Sequence, residues 1–412
     1  MSTGMHGPVV VVGAGHAGGT VAALLRQYGW VGAITLVGAE RRAPYQRPPL
    51  SKGLMLGKVA PDELQLKPDA FYAERQIALR LGREVLRIDR ESRQVHLDGG
   101  EFLPYEHLVI ATGARLRPLP VPGAGLAGVV SLRTADDAMR LREAVRPGTR
   151  VVVVGGGYIG LEAAASARSL GAEVCVLERE DRLMARVASR ELAAFVAGYA
   201  RGQGVAIELG ASVVGFDGEA ERVRAARLAD GRVLPCDLAL VGIGVLAEQS
   251  LAEQAGLACE DGIVVDEEAR TGDPAVSAIG DCTRRPIALF ERRARLESVH
   301  NAMEQAKQVA ARLCGKPQPP AEAPWTWSDQ FDLRLQIAGL TTPGDQVVVR
   351  GDPEGRAFAI FHLSPEGVLR AVEAVNSPMD FAFARMAIGK RMRTPGERLR
   401  DVAIPLKEVA IA

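Results

Sequence analysis

The chain predicts an α/β protein with two doubly wound parallel sheets and a smaller α+β segment at its C-terminal end. Three observations lead there. Two glycine-rich turns, Gly13-Ala-Gly15-His-Ala-Gly18 and Gly155-Gly-Gly157-Tyr-Ile-Gly160, each stand between a Val-rich run and an Ala-rich run. After each turn a further apolar strand ends beside an acidic residue, Glu40 in the first case and Glu178 in the second. Residues 321–412 carry no such turn and read as short strands followed by a basic helix and tail.

Each element follows from local pattern. Val9–Val12 is an all-apolar run, as strands buried on both faces of a parallel sheet are, and residues 17–28 have helical composition. Residues 34–37 form the next strand. In the loop Pro44-Tyr-Gln-Arg-Pro-Pro-Leu-Ser-Lys52, Pro48 and Pro49 are expected to exclude helix, and Ser51 to cap the next element. Residues 107–111 are an apolar strand ending in Thr112-Gly113, and the Pro- and Gly-rich stretch 115–128 is a connection. The pattern then restarts, with strand 150–154, helix 158–170, strand 173–177 and strand 237–243. Residues 275–279 form a strand ending in Gly280-Asp281. In 297–313, Ala302, Ala306, Val309 and Leu313 share one side of a helix. Four prolines mark 315–324 as a linker.

A strand–glycine turn–helix unit lets the backbone approach a pyrophosphate, whose charge sits at the helix N-terminus. Both units are therefore Rossmann-like, and two of them predict two bound dinucleotides. Side chains at Gly13, Gly15 or Gly18 would block the turn, the phosphate or the helix–strand contact. Glu178 stands 23 positions after Gly155, near the spacing of about 20 at which an acid accepts from the adenosine ribose hydroxyls. Its charge repels a 2′-phosphate and favours NADH. Arg179, Arg182 and Arg186 close behind moderate that preference. In the first unit Ala39 follows the strand glycine directly, which leaves Glu40 as the matching acid.

Composition narrows the field. Lys+Arg and Asp+Glu both total 50, so no global field favours nucleic acid or an anionic membrane, and any charged docking face must be local. No stretch reaches the roughly 18 apolar residues of a spanning helix. The first strand begins so early that a cleaved signal peptide has no room, and a cytoplasmic protein is expected. Cys175, Cys236, Cys259, Cys282 and Cys314 are scattered without a C-x-x-C pair. A disulfide framework, structural zinc or intrinsic iron–sulfur cluster is therefore not expected, and no metal site is.

The motifs carry a family resemblance. Val10-Val-Val-Gly-Ala-Gly-His-Ala-Gly18, Arg47-Pro-Pro-Leu-Ser-Lys52, Leu108-Val-Ile-Ala-Thr-Gly113 and Gly155-Gly-Gly-Tyr-Ile-Gly-Leu-Glu162 occur in order. Ile279-Gly-Asp-Cys282, Glu297-Ser-Val-His-Asn-Ala302 and Trp327-Ser-Asp-Gln330 come after them. Together they resemble the flavin-dependent NADH:ferredoxin reductases that feed bacterial oxygenases, a glutathione reductase-like fold, over nearly the whole chain.

The resemblance implies an FAD-binding domain in two parts, 1–114 and 245–320, split by an NAD-binding domain at 115–244, with a C-terminal domain at 321–412. It implies FAD held by Gly13, Gly15, Ala17, Gly18, Ala39, Glu40, Arg47, Lys52, Val85, Thr112, Gly113, Arg133, Asp281, Val299 and Trp327. NADH would be held by Gly155, Gly157, Tyr158, Ile159, Gly160, Glu162 and Glu178. Asp281 would accept from the ribityl hydroxyls, and Val299 would offer its backbone N–H to the flavin. Lys52 and Glu162 are the expected catalytic pair, acting by charge and position. The implied reaction moves hydride from NADH to FAD and then single electrons to a [2Fe-2S] ferredoxin serving a P450 or ring-hydroxylating oxygenase.

Disulfide reductases of this fold carry a redox cysteine pair after the first loop; this chain reads Tyr45-Gln-Arg-Pro-Pro-Leu-Ser51 there. Electrons must then leave the flavin for an external carrier. Two basic runs offer docking faces: Arg284, Arg285, Arg292, Arg293 and Arg295, and seven Lys/Arg from Phe383 to the end. Arg295, Trp327, Arg334 and Lys407 are the expected docking residues, on a monomer or weak dimer. Rubredoxin, a quinone or another small oxidant is the rival acceptor. A slow, apoptosis-inducing-factor-like flavoprotein is the rival class, disfavoured by the intact Lys52 and Glu162. Two departures from the family pattern stand out: Gly242-Ile-Gly-Val-Leu-Ala247 lacks the usual Pro-Asn, and Ala39 replaces an Asp.

Overall fold

The structure, a computed structural model, describes residues 6–409, so the last three residues of the basic tail lie outside it. The chain divides into two compact units, each assembled from three segments. The first unit comprises 1–46, 64–115 and 246–326; the second comprises 47–63, 116–245 and 327–412. Grouping by contacts thus gives two units where three domains are expected from sequence. The Pro-rich loop from Arg47 and the C-terminal segment from Trp327 fall with the second.

In the first unit a five-stranded sheet runs in the order Val276–Ala278, His107–Ile110, Val9–Val12, Ile34–Gly38, Ile77–Leu81, all parallel. Alternate residues of the central strand serve opposite faces. Val9 and Val11 pack with the helices His16–Gln27 and Val299–Leu313. Val10 and Val12 pack with an antiparallel sheet, Val85–Asp89, Gln94–Leu97 and Phe102–Pro104, which the sequence pattern does not announce. Covered on both sides, the Val9–Val12 strand is apolar throughout. The Val299–Leu313 helix starts two residues later than expected because the Ser298 hydroxyl accepts from Asn301 N–H (3.1 Å) and caps it.

In the second unit the strands Val205–Leu209, Glu173–Glu178, Arg150–Val154, Leu238–Val241 and Val129–Val130 form a second five-stranded sheet in that order, again all parallel. One face carries the antiparallel sheet Val213–Glu219, Arg222–Leu228 and Val233–Pro235. The C-terminal segment forms a five-stranded sheet ordered Trp325–Gln330, Leu333–Gly339, Leu369–Val375, Ala357–Leu363 and Gln346–Asp352. The helix Pro378–Gly389 comes after it.

The Pro-rich loop departs from expectation. Pro48–Ser51 is a single 3₁₀ turn with prolines in its first two positions. The prolines end nothing, because N–H groups at a helix start have no intrahelical partner to lose. Nor does Ser51 cap a following helix; its hydroxyl is turned inward, to the Glu162 carboxylate.

Candidate active site

The two glycine turns have the same internal geometry. In the first, Gly13 has φ +110° and its N–H donates to Val37 O (2.8 Å); a Cβ there would meet Ala111 O at 2.2 Å. A Cβ on Gly18 would stand 1.9 Å from Gly13 O. In the second, Gly155 has φ +109° and donates to Leu177 O (2.8 Å), and Cβ atoms on Gly155 and Gly160 would meet Gly242 O and Gly155 O at 2.4 and 2.2 Å. The middle glycines differ: nothing lies within 4 Å of a Cβ built on Gly15 or Gly157. The outer glycines thus close strand against helix, while the middle one leaves open space at a helix start. That is the cradle a pyrophosphate needs, and both turns fit a dinucleotide.

Around the first cradle the structure gathers several expected residues. Gly280 approaches so closely that its Cβ would stand 3.2 Å from the Ala17 methyl, which brings the Gly280–Cys282 turn and Asp281 to the start of the first helix. Gln305, fully buried, accepts from Gly280 N–H (2.8 Å) and so ties that turn to the helix begun by Val299. Glu40 accepts from the Tyr45 hydroxyl (2.5 Å), and Ala39 is exposed beside it. The Thr112 hydroxyl donates to Glu248 O (2.5 Å), next to Gly113. Val85 is buried on the antiparallel sheet, paired with Leu97.

At the second cradle, Glu178 is fixed by backbone. Gly156 N–H donates to its Oε2 (2.7 Å) and Glu180 N–H to its Oε1 (2.9 Å). The carboxylate therefore closes the end of its strand onto the glycine turn. Tyr158 is half-buried, and Ile159 is exposed on the first turn of the helix.

The expected catalytic pair comes together within the second unit. Lys52 Nζ lies 2.9 Å from Glu162 Oε1, and Glu162 is 2% exposed. Two serines join them. Ser51 Oγ donates to Glu162 Oε2 (2.5 Å) and Ser328 Oγ to Oε1 (2.6 Å). Burial raises the Glu162 pKa above the ordinary carboxylate value, opposed by the Lys52 charge and by the hydroxyls of Ser328 and Ser51. The Ser166 hydroxyl, from the Glu162 helix, donates to Ser51 O (2.6 Å). Nearby on the same loop, Arg47 Nη1 donates to Arg133 O (2.6 Å), and Trp327 is half-buried beside Ser328.

Ser51, Ser166 and Ser328 are the residues that sequence reasoning missed. Ser51 and Ser328 lie inside the Arg-Pro-Pro-Leu-Ser-Lys and Trp-Ser-Asp-Gln motifs, which was the only available signal; their partner stands 111 and 166 positions away.

The basic run at 284–295 is divided: Arg292 and Arg293 are exposed, while Arg284, Arg285 and Arg295 pair with acids. Arg285 is buried and pairs with Glu304 (2.6 Å). The Arg295 side chain is only 10% exposed and pairs with Asp261 (3.3 Å) and Glu297. Arg334 and Lys407 are exposed. Among the described residues no helix is long and apolar enough to cross a membrane.

Residues 7–306 match the pyridine nucleotide-disulphide oxidoreductase family, and residues 325–410 match the reductase C-terminal family. The chain is 46% identical to a probable ferredoxin reductase of Castellaniella defragrans, over 98% of each. It resembles the reductase in a covalent putidaredoxin reductase–putidaredoxin complex with a TM-score of 0.95, at 41% identity over 98% of both chains. It resembles a ferredoxin reductase from Rhodopseudomonas palustris with a TM-score of 0.94, at 42% identity over 98% of this chain and 100% of that one. With the paired glycine cradles and the Lys52–Glu162 site already in place, the chain belongs to the ferredoxin reductases of the pyridine nucleotide-disulphide oxidoreductase family, which bind FAD and NAD(P)H.

Proposed function

We propose that this chain oxidises NADH through bound FAD and hands the electrons singly to a [2Fe-2S] ferredoxin that serves a P450 or ring-hydroxylating oxygenase. The observation that carries the reading is two dinucleotide cradles in a chain whose first cysteine is Cys175. Without a thiol relay by the first loop, reducing equivalents leave for a separate acceptor. FAD supplies the conversion of a two-electron donor into one-electron output.

FAD is assigned to the first cradle. Gly13, Gly15, Ala17 and Gly18 supply backbone at the pyrophosphate, and Asp281 accepts from the ribityl hydroxyls. Val299 N–H, at a helix start, favours negative charge on the flavin. Ala39, Glu40, Val85, Thr112 and Gly113 complete the assignment in that unit. NADH is assigned to the second cradle, Gly155 to Gly160, with Glu178 as the ribose acceptor. Glu178 keeps lone pairs free after accepting its two backbone N–H groups, and its charge disfavours a 2′-phosphate. Lys52 and Glu162 act as an ion pair that places the nicotinamide and stabilises charge as hydride moves. Arg334, Lys407 and Trp327 belong to the docking face for an acidic ferredoxin.

The test is steady-state reduction of cytochrome c by NADH with and without added ferredoxin. Strong acceleration by ferredoxin is expected. No acceleration would overturn the carrier reading in favour of rubredoxin, a quinone or another small acceptor.

A further inference from the structure

Glu162 carries a buried negative charge that Lys52 shares with two hydroxyls. Each carboxylate oxygen has a separate anchor. Ser51, from the Pro-rich loop, holds Oε2, and Ser328, from the Trp325–Gln330 strand, holds Oε1, the same oxygen that Lys52 meets. Ser328 is fully buried. Gln330 Nε2 donates to Ser328 Oγ (3.2 Å). With its oxygen accepting from that amide, the single hydroxyl proton is committed to Glu162. The strand thus presents one aimed donor to the carboxylate. The titratable groups facing Glu162 are Lys52, from the loop, and Tyr158, one turn earlier on its own helix. The C-terminal strand contributes a hydroxyl and an amide behind it.

We propose that Ser328 is a positioning residue for hydride transfer: with Gln330 behind it, it fixes the Glu162 carboxylate in the one orientation that holds Lys52, so that the C-terminal segment completes the active site. The proposal rests on the assignment of Lys52 and Glu162 as the working pair. With Ser328 removed, Oε1 is left to Lys52 alone, so the carboxylate and the flexible lysine shift together and neither keeps a fixed position. The loss is electrostatic as well, since a hydrogen bond to a buried charge is removed and nothing replaces it.

Two measurements on the FAD-loaded full chain test this. In stopped flow, Ser328→Ala is expected to slow flavin reduction by NADH by roughly tenfold near neutral pH, with the acid limb of the rate profile displaced to higher pH. In thermal unfolding, its Tm deficit against wild type is expected to grow as pH rises from the acid side, where Glu162 is protonated, to neutral, where it is charged. That growth disappears in a Glu162→Gln background. A deficit that is the same at every pH marks simple packing and overturns the proposal, as does an unmoved acid limb. Lys52→Ala separates the two readings. If it slows reduction and Ser328→Ala does not, the positioning role fails and the pair stands. If Lys52→Ala has no effect, the pair itself is overturned, and the role of Ser328 with it.

Discussion

Removing the Lys52 ammonium would leave Glu162 buried, hydrogen-bonded by two serines and without a counter-charge. Lys52→Ala is therefore expected to slow flavin reduction by NADH about tenfold or more while FAD stays bound, read by stopped flow and by the absorbance ratio of flavin to protein. An unchanged rate would remove Lys52 from the chemistry. The pH dependence comes from burial. Because the folded pKa of Glu162 lies above its ordinary value, protonation breaks the ion pair at a higher pH than for an exposed carboxylate, and the rate falls on the acid side. Stability runs the other way: for a raised carboxylate it is greatest below the unfolded pKa and is lost as pH rises towards the folded one. Glu162→Gln should flatten both profiles. At the second cradle, Glu178→Gln removes the charge and keeps a carbonyl oxygen for only one of the two backbone N–H groups, its amide nitrogen facing the other. The ratio of kcat/KM for NADH over NADPH should fall by about tenfold. No change in the ratio would transfer coenzyme choice to another residue.

Among the elements, the helix Arg190–Gly202 shows how the C-terminal segment supports the second nucleotide-binding sheet. Its cap residue Ser189 donates its own N–H to Glu373 Oε1 (2.7 Å), on the strand Leu369–Val375. Glu373 is 1% exposed, and His362 Nε2 lies 3.2 Å from its other oxygen. Glu373→Ala leaves both partners unsatisfied and should cost about 1–3 kcal/mol, measured by denaturant unfolding of the FAD-loaded chain. Most parallel strands and the glycine-turn helices were legible in the sequence because their signals are local: an apolar run, a glycine turn and an Ala-rich helix within thirty or so residues; the edge strands Ile77–Leu81, Val129–Val130 and Val205–Leu209 were not. The antiparallel sheets at 85–104 and 213–235 were not, since Val85–Asp89 and Val213–Glu219 mix exposed and buried positions without a clean alternation. Ser51 and Ser328 were legible as parts of motifs and illegible as hydrogen-bond donors, because that role depends on a distant partner. In the basic run at 284–295 the pairing of Arg285 and Arg295 was illegible for the same reason: Glu304 and Asp261 sit on other segments.

For the molecule as a whole, equal numbers of acidic and basic residues mean that attraction of a partner has to come from local excess. Lys390, Arg391, Arg393, Arg400 and Lys407 are exposed in the C-terminal segment, as is Arg334 on its sheet. Arg334→Glu combined with Lys407→Glu should slow ferredoxin-dependent cytochrome c reduction at low ionic strength. The difference from wild type should shrink as salt shortens the Debye length to about 8 Å or less. A defect indifferent to salt would argue against electrostatic docking at these residues. The three-segment make-up of each unit also means that neither is released by a single cut.

The clamp on Ser51 has a practical consequence. Its hydroxyl reaches Glu162 and its carbonyl receives Ser166, so two residues one turn apart on the Tyr158–Ser169 helix grip the residue next to Lys52. Transplanting that helix from an NADPH-preferring relative would therefore disturb the lysine along with the coenzyme. On the proposed assignment, redesign of coenzyme choice belongs instead at Glu178 and the arginines after it, where a substitution disturbs backbone hydrogen bonds and not Lys52.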